Sequence, residues 1–159
     1  MKLIGIIGGG ECSEEIARMS EEVGEELARR GAVLICGGHG GVMEAVCRGA
    51  KREGGLTIGI LLGTDPGEAN PYIDIPIATG LGQARNLVIV NAAAALIAID
   101  GEYGTLSELG FALKLGKRVI GLEAWEVPGV IVAKDPKEAV ELALQGLEDE
   151  RRPPRTSST

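Results

Sequence analysis

Short apolar runs alternate along this chain with longer stretches in which apolar residues recur every three or four positions. The runs predict strands at 3–7, 33–36, 56–61, 73–77, 94–99, 119–122 and 130–133. The periodic stretches predict helices at 14–30, 42–52, 83–93, 105–115 and 135–147. Since strands and helices alternate, we predict a Rossmann-like three-layer α/β sandwich with a mainly parallel sheet of about six or seven strands.

The periodic pattern stops near residue 147, and this sets the predicted domain boundary. One nucleotide-binding domain is predicted at 1–147, which is long enough for a single substantial core. The remaining residues, 148–159, lack apolar side chains and are predicted to be disordered. Pro76 predicts that its strand is an exposed edge or ends early, because proline cannot donate a hydrogen bond to a neighbouring strand.

Composition and charge narrow the function classes. Hydrophobic residues make up 45% of the chain and aromatic residues 3%, which predicts an aliphatic core. The formal charge of −7 argues against a general nucleic-acid binder, which needs a basic face. No apolar run reaches the ~20 residues that cross a membrane, and the N-terminus shows no secretory cleavage pattern. Cys12, Cys36 and Cys47 lack metal-ligand spacing, so no metal site is predicted and a reducing cytoplasm fits best.

Glycine is concentrated where three predicted strands end, at 8–10, 37–41 and 101–104. In an open parallel sheet such strand ends line one edge, where ligands bind. Glycine lets the backbone approach a phosphate, and the N-terminus of the following helix offers unpaired N–H groups. We therefore predict an elongated anionic ligand such as a nucleotide; the alternative is that glycine only permits tight turns. The candidate ligand-binding residues are Gly8, Gly9, Gly10, Gly38, Gly40, Gly41, Gly101, Tyr103, Gly104 and Thr105.

Two common nucleotide-binding motifs do not fit these turns. A dinucleotide fingerprint needs Gly or Ala near position 13 and an acid at the end of the second strand, where this chain has Ser13 and Cys36. A P-loop needs Gly-Lys-Ser/Thr before a helix, whereas Gly116-Lys117 follows one. Neither NAD nor a Walker-type ATPase is favoured.

An arginine and a glutamate lie at a recognisable separation near the third turn. Arg85-Asn86 stands upstream of the nonapeptide DGEYGTLSE, which ends at Glu108. Together with the segment GGHGGVMEAVCRGAKREGG at 37–55, these residues resemble the LONELY GUY-like proteins, long labelled lysine decarboxylase-like. The nonapeptide is similar to the family motif Pro-Gly-Gly-x-Gly-Thr-x-x-Glu, and the dipeptide to its Arg-Lys pair. The resemblance covers most of residues 1–147 and is fairly specific.

The resemblance implies site roles for Arg85 and Glu108. In enzymes of that family these residues serve a phosphoribohydrolase, which cleaves the N-glycosidic bond of a nucleoside 5′-monophosphate. The guanidinium would orient the ribose or base, and the carboxylate would stabilise charge at the anomeric carbon or activate water. Because a cation at a helix start opposes the helix dipole, we expect Arg85 to have an anionic partner, either Glu108 or a ligand phosphate. A homodimer or higher oligomer is also implied, and nothing in the chain indicates the lysine of a pyridoxal-phosphate decarboxylase.

Three positions depart from the enzyme pattern: Asp100, Glu102 and Asn86 stand where the family has Pro, Gly and Lys. Glu102 is the most serious change, because a carboxylate repels a phosphate unless it faces solvent, a cation or a metal. This form of the motif is similar to a sister branch that includes molybdenum-cofactor carrier proteins, whose ligand is a phosphorylated pterin-based molecule. We interpret the turn as a phosphate loop with weakened or redirected chemistry.

Four further residues have simple structural interpretations. Thr105 is predicted to cap a helix and can also contact phosphate. Tyr103 is predicted either to stack on the base of a ligand or to be an exposed turn residue. His39, the single histidine, is interpreted as an exposed loop residue, and Trp125, the single tryptophan, as a packing or interface anchor.

Three functional hypotheses follow from this sequence. The first is a cytoplasmic binder of a phosphorylated nucleotide or nucleotide-like cofactor, with the molybdenum cofactor as one candidate and no cofactor required. The second is an active phosphoribohydrolase on AMP or a similar monophosphate, with Glu108 as base and Arg85 as orienting group. The third is a structural or regulatory oligomer with a vestigial pocket. No nucleic-acid or membrane partner is predicted.

Overall fold

Seven strands form one parallel sheet in the computed structural model, which describes residues 2–147. The strands are β1 (Leu3–Ile7), β2 (Val33–Cys36), β3 (Thr57–Leu61), β4 (Ile75–Ala78), β5 (Ala95–Ile99), β6 (Arg118–Leu122) and β7 (Ile131–Val132). Their order across the sheet is β4-β3-β2-β1-β5-β6-β7, and every pair is parallel. The predicted fold class is confirmed. The predicted tail at 148–159 lies outside the described residues.

Five helices in the described part of the chain cover the two faces of the sheet. They are α1 (Glu14–Arg29), α2 (Val42–Arg52), α3 (Arg85–Ala92), α4 (Tyr103–Lys114) and α5 (Pro136–Leu144). Apolar residues of α1, α2 and α5 pack on one face, and those of α3 and α4 pack on the other. Among residues 2–147 no helix has the length and apolarity needed to cross a bilayer.

Local sequence explains where several elements begin. Ser13 Oγ accepts a hydrogen bond from Ile16 N at 3.2 Å, which caps α1, and Asp135 Oδ1 accepts one from Glu138 N at 2.8 Å, which caps α5. The strand that contains Pro76 is the last one at its edge of the sheet, as its proline predicted.

Helix α4 begins two residues earlier than predicted, and this moves Thr105 away from the N-cap position. Glu102 is the N-cap residue. Thr105 Oγ1 accepts a hydrogen bond from Glu102 N at 3.2 Å and donates one to Glu102 O at 2.7 Å. Thr105 is therefore not the N-cap residue but the third residue of the helix, and its hydroxyl takes part in capping the first turn as one member of a capping box. Helix α3 is likewise shorter than the predicted 83–93, since a short 3₁₀ turn at Gly82–Ala84 precedes it.

The direction of chain progression reverses between β1 and β5, which lie side by side at the centre of the sheet. After β1 the chain turns into α1 on one face, and after β5 it turns into α4 on the other. The carboxyl ends of two such strands leave a crevice between their turns, where ligands of open α/β sheets bind. The first and third glycine-rich turns of the sequence flank this crevice.

Candidate functional site

The glycine turns after β1 and β2 lie in direct contact. Gly9 O accepts a hydrogen bond from Val42 N at 3.0 Å, and a Cβ placed on Gly40 would lie 3.3 Å from Gly10 O. Gly41 has a φ of +61°, in the left-handed region that favours glycine. Glycine at these positions therefore lets two chain segments approach each other, which is a structural requirement independent of any ligand.

The third turn reaches the first one through the side chain of Glu102. A Cβ placed on Gly9 would lie 2.6 Å from Glu102 Oε1, so the carboxylate rests directly on that glycine. Burial raises the pKa of the Cys12 thiol, and the negative charges of Asp100 and Glu102 raise it further. The turns after β1, β2 and β5 thus converge, with an acidic side chain between the first and the third.

Arg85 lies at the start of α3 and is buried, with 6% of its surface exposed. Its Nη1 donates hydrogen bonds to Gly37 O at 2.6 Å and to Ile60 O. A Cβ on Gly37 would lie 2.7 Å from Arg85 Cζ, so glycine is needed there to seat the guanidinium. The hydrogen-bond partners of Arg85 are therefore backbone carbonyls at the ends of β2 and β3, where the sequence predicted an anion. Arg85 Nε is buried and has no hydrogen-bond partner.

Glu108 lies in the second turn of α4 and interacts with Arg85 electrostatically. Burial raises the pKa of Glu108 from 4.5 to about 7, against the opposing effect of the Arg85 charge. Burial lowers the pKa of Arg85, and the Glu108 charge raises it. The two form none of the ion pairs within 4.0 Å found among residues 2–147. Glu108 is thus a half-buried carboxyl that changes charge near neutral pH, beside a permanent cation.

His39 and Asn86 bring two further unpaired polar atoms to the surroundings of Arg85. The His39 backbone is held by Asn70, whose Nδ2 donates to His39 O at 2.9 Å. Burial lowers the pKa of His39, and the Arg85 charge lowers it further, which favours the neutral imidazole. His39 Nε2 and Asn86 Oδ1 are buried without a partner. The interpretation of His39 as an exposed residue is therefore wrong, since the turn after β2 partly buries it.

Unpaired buried polar atoms are uncommon in folded proteins, because each one forfeits its hydrogen bonds to water. Three of the four such side-chain atoms in the described residues belong to Arg85, Asn86 and His39, and the fourth is Ser20 Oγ. This concentration indicates a place where water or a ligand completes the hydrogen bonding. No group of three or more His, Cys, Asp or Glu side chains within 2–147 is arranged to hold a metal ion.

Trp125 is a site residue that the sequence interpretation missed. Its Nε1 donates a hydrogen bond to Glu102 O at 3.0 Å, and its ring centroid lies 5.9 Å from that of Tyr103. With Gly101 and Gly104, these residues line a cleft of about 570 Å³. The signal in the sequence was the position of the lone tryptophan, three residues beyond the end of β6 at the predicted ligand-binding edge.

A family model described as SLOG cluster4 matches residues 1–149 of this sequence. The chain belongs to the SLOG cluster4 family. This confirms the predicted resemblance to the LONELY GUY-like proteins.

Solved structures similar to this SLOG cluster4 protein include two molybdenum cofactor proteins. The molybdenum cofactor binding protein of Rippkaea orientalis is 36% identical with a TM-score of 0.84, over 89% of this chain and 94% of that one. The molybdenum cofactor carrier protein of Chlamydomonas reinhardtii is 34% identical with a TM-score of 0.85, over 93% of this chain and 99% of that one. Both neighbours are proteins that bind a small molecule on the same fold.

Two relatives were found among curated protein sequences. A protein of Archaeoglobus fulgidus is 50% identical over 147 residues, which are 91% of this chain and 97% of the relative. The cytokinin riboside 5′-monophosphate phosphoribohydrolase of Mycobacterium marinum is 30% identical over 120 residues, which are 70% of this chain and 64% of the enzyme. The family thus has a binding protein and a hydrolase among its relatives.

The SLOG cluster4 chain differs from the predicted enzyme motif in its backbone as well as its side chains. Asp100 stands where the motif has proline and has a φ of +65°, which proline cannot adopt because its ring holds φ near −65°. Its Oδ1 accepts a hydrogen bond from Gly101 N at 2.9 Å. The turn after β5 therefore follows a different path from a proline-containing turn, and Glu102 enters the crevice on that path.

Proposed function

We propose that this protein binds a phosphorylated nucleotide or a nucleotide-like cofactor in the crevice between the turns after β1, β2 and β5. The observation that carries the proposal is the buried guanidinium of Arg85, which has an unpaired Nε and interacts electrostatically with the partly buried Glu108. A buried cation with a free donor favours an anionic group. The relationship to two cofactor-binding proteins and a nucleotide hydrolase supports the same class of ligand.

Each part of the proposed pocket has a distinct physical role. Gly8, Gly9 and Gly10 in the first turn, and Gly38, Gly40 and Gly41 in the second, allow close approach of the ligand to the backbone. Gly101 precedes the N-cap of α4, and Tyr103, Gly104 and Thr105 form the first turn of that helix, where N–H groups and the helix dipole favour a phosphate. Arg85 supplies a buried positive charge to this acidic region.

The described residues fit the phosphate end of a molybdenum cofactor. Arg85 Nε is an orphaned buried donor, and the glycine at position 37 leaves room for the guanidinium that carries it. Arg85 and the start of α4 would hold the phosphate, while the cofactor would bring the redox chemistry of its own metal. The carboxylate of Glu102 on Gly9 opposes a second negative group at that point.

We expect Glu102→Gln to strengthen the binding of AMP roughly two- to fivefold, because it removes a negative charge from the crevice and keeps the size of the side chain. The dissociation constant would be measured by isothermal titration at low and high salt, since a charge effect shrinks as salt is added. Glu22→Gln, an exposed site on α1, is the matched control. Equal dissociation constants for all three proteins would contradict this placement of the phosphate.

A phosphoribohydrolase is the second candidate, and the pKa of Glu108 favours it. A carboxyl with a pKa of about 7 can both accept and donate a proton at neutral pH, as general catalysis of glycosidic cleavage requires. Glu108 would activate water at the anomeric carbon, and Arg85 would orient the ribose. The protein would be incubated with AMP, CMP and GMP and assayed for free base and ribose 5-phosphate.

The outcome of that assay separates the hypotheses. Turnover that Glu108→Gln abolishes would establish the enzyme, whereas thermal stabilisation without turnover would establish a binder. Absence of both, with molybdenum cofactor also tested, would overturn the proposal and leave the structural hypothesis. Mass spectrometry of molecules that copurify with the protein would identify a resident ligand directly.

We also propose that two copies of the chain associate through the layer of α3 and α4. Four apolar side chains in this layer are more than a third exposed: Leu87, Val88, Phe111 and Leu115. Burying such a surface against a second copy would remove it from water. Light scattering coupled to size-exclusion chromatography would give the oligomeric state.

The three cysteines are free thiols, which is consistent with the reducing cytoplasm proposed for this protein.

A further inference from the structure

A second recognition feature adjoins the proposed phosphate pocket, and its residues are aromatic and acidic. The cleft of about 570 Å³ is lined by Gly101, Glu102, Tyr103, Gly104 and Trp125. A neighbouring hollow of about 280 Å³ shares Gly101 and Trp125 and adds Asp100, Glu123, Ala124 and Glu126. Trp125 therefore forms a wall common to both spaces, which we call the Trp125 cleft.

In the Trp125 cleft the indole is held by a hydrogen bond, and the neighbouring tyrosine is largely exposed. The hydrogen bond from Trp125 Nε1 to Glu102 O, at 3.0 Å, fixes the indole against the start of α4. The Tyr103 ring is tilted by 35° to the indole and remains 85% exposed. An exposed tyrosine beside a tethered tryptophan contributes little to the core, yet it offers a π surface to a third ring.

The charges around the Trp125 cleft determine what kind of ring it accepts. The residues that line its two spaces include four acidic ones and no lysine, arginine or histidine: Asp100, Glu102, Glu123 and Glu126. An aromatic face attracts cations through its quadrupole, and nearby carboxylates add to that attraction. The same charges repel an anionic group. The aromatic pair and the cleft define the site, and the carboxylates select for positive charge.

We propose that the Trp125 cleft binds an organic cation whose charge lies on a flat heteroaromatic ring, such as a pyridinium. The ring stacks on Trp125 and Tyr103, and Glu102 is one of the residues that line the same cleft. This inference goes beyond the proposed function, although the two sites share Gly101, Tyr103 and Gly104. Arg85 and the backbone N–H groups of α4 select a phosphate, whereas the rings and acidic residues of the Trp125 cleft select the opposite charge. A ligand that carries both groups would use both sites.

The experiment uses Trp125 itself as the reporter, since it is the single tryptophan of the chain. Its fluorescence would be titrated with the ring-N-methylated nicotinamide cation and, separately, with uncharged nicotinamide. We expect saturable quenching by the cation with an affinity about tenfold higher than that of the neutral ring. Quenching that rises linearly without saturation, or that is equal for the two compounds, would overturn the proposal.

Variants test which groups provide the affinity. Tyr103→Ala removes an exposed ring and should weaken cation binding about fivefold without affecting folding. Glu102→Gln should weaken it roughly two- to fivefold, and Glu22→Gln, a charge-matched control on α1, should leave it unchanged. Equal cation affinities for all of these proteins would also overturn the proposal.

Titration with AMP keeps the two proposals separate. Glu102→Gln is expected to weaken the cation and to strengthen AMP, so the same substitution moves the two affinities in opposite directions. Saturable binding of the cation without any binding of AMP would support the Trp125 cleft and contradict the proposed function. Binding of AMP without saturable binding of the cation would support the proposed function and contradict the Trp125 cleft.

Discussion

Arg85→Met is expected to lower the free energy of unfolding by about 3 kcal/mol or more, because it removes two hydrogen bonds from a charged donor to backbone carbonyl oxygens. Arg85 Nη1 donates to Gly37 O and Ile60 O, and hydrogen bonds from a charged donor contribute about 1.5–3 kcal/mol each. Methionine fills most of the same volume, so the loss of packing is small. Urea-induced unfolding at neutral pH would measure the difference.

Whether substitution of Arg85 destabilises the protein depends on which of the interacting polar groups remains buried afterwards. Replacing a whole buried ion pair with apolar residues is often neutral, since both charges leave together. Here the carbonyls belong to the backbone and stay behind without the charged donor. Arg18→Met is the matched control, because the Arg18 side chain is exposed and forms a surface ion pair with Glu14 at 3.7 Å, so a change below about 0.5 kcal/mol is expected. A loss for Arg85→Met as small as that of the control would contradict the hydrogen bonding of the guanidinium.

Glu108→Gln is expected to remove a pH dependence of stability of up to about 3 kcal/mol between pH 4.5 and pH 7. The folded state raises the pKa of Glu108 from 4.5 to about 7, and each pKa unit corresponds to ~1.4 kcal/mol. The folded protein therefore binds this proton more tightly than the unfolded chain does. The resulting stabilisation is fully present below about pH 4.5, falls as the pH rises towards 7, and is absent above it.

The measurement is the difference in free energy of unfolding between the wild type and Glu108→Gln at several pH values. Taking the difference removes the opposing contributions of Glu21 and Asp74, whose pKa values are lowered by their arginine and lysine partners and by hydrogen bonds. Relative to the variant, the wild type should lose stability as the pH rises from 4.5 to 7. Glu22→Gln should follow the wild type. A difference that stays constant across this range would show that Glu108 is not buried as described.

Both predictions bear on function, because the burial of Arg85 and Glu108 affects the stability of the protein and also the interaction of these groups with a ligand. The turn after β2 accommodates the Arg85 guanidinium at Gly37. Helix α4 carries Glu108, whose pKa is about 7 and which interacts electrostatically with Arg85. A site whose charged groups are desolvated interacts more strongly with a bound ion than an exposed one does, since less water screens them. Loss of ligand binding together with loss of stability in Arg85→Met would follow from this shared origin.

Much of the fold could be predicted from residues close together in sequence. Apolar runs and helical periodicity indicated the seven strands and five helices that are found within 2–147, and Pro76 indicated an edge strand. The glycine-rich ends of β1, β2 and β5 indicated which edge carries the turns, because parallel strands place all their carboxyl ends together. These features depend on local backbone preferences and on the period of burial, which the amino-acid order alone determines.

The tertiary structure decided what the candidate site residues contact. Arg85 donates to carbonyls 48 and 25 residues away in sequence, and Trp125 donates to Glu102 across 23 residues. The pKa of Glu108 near 7 likewise depends on how much protein surrounds it, which no local pattern reports. Sequence motifs identified Arg85 and Glu108 as a pair, but they could not place Glu102 on Gly9 or Trp125 beside Tyr103. Contact and desolvation arise only when distant segments pack together, so they are properties of the folded chain.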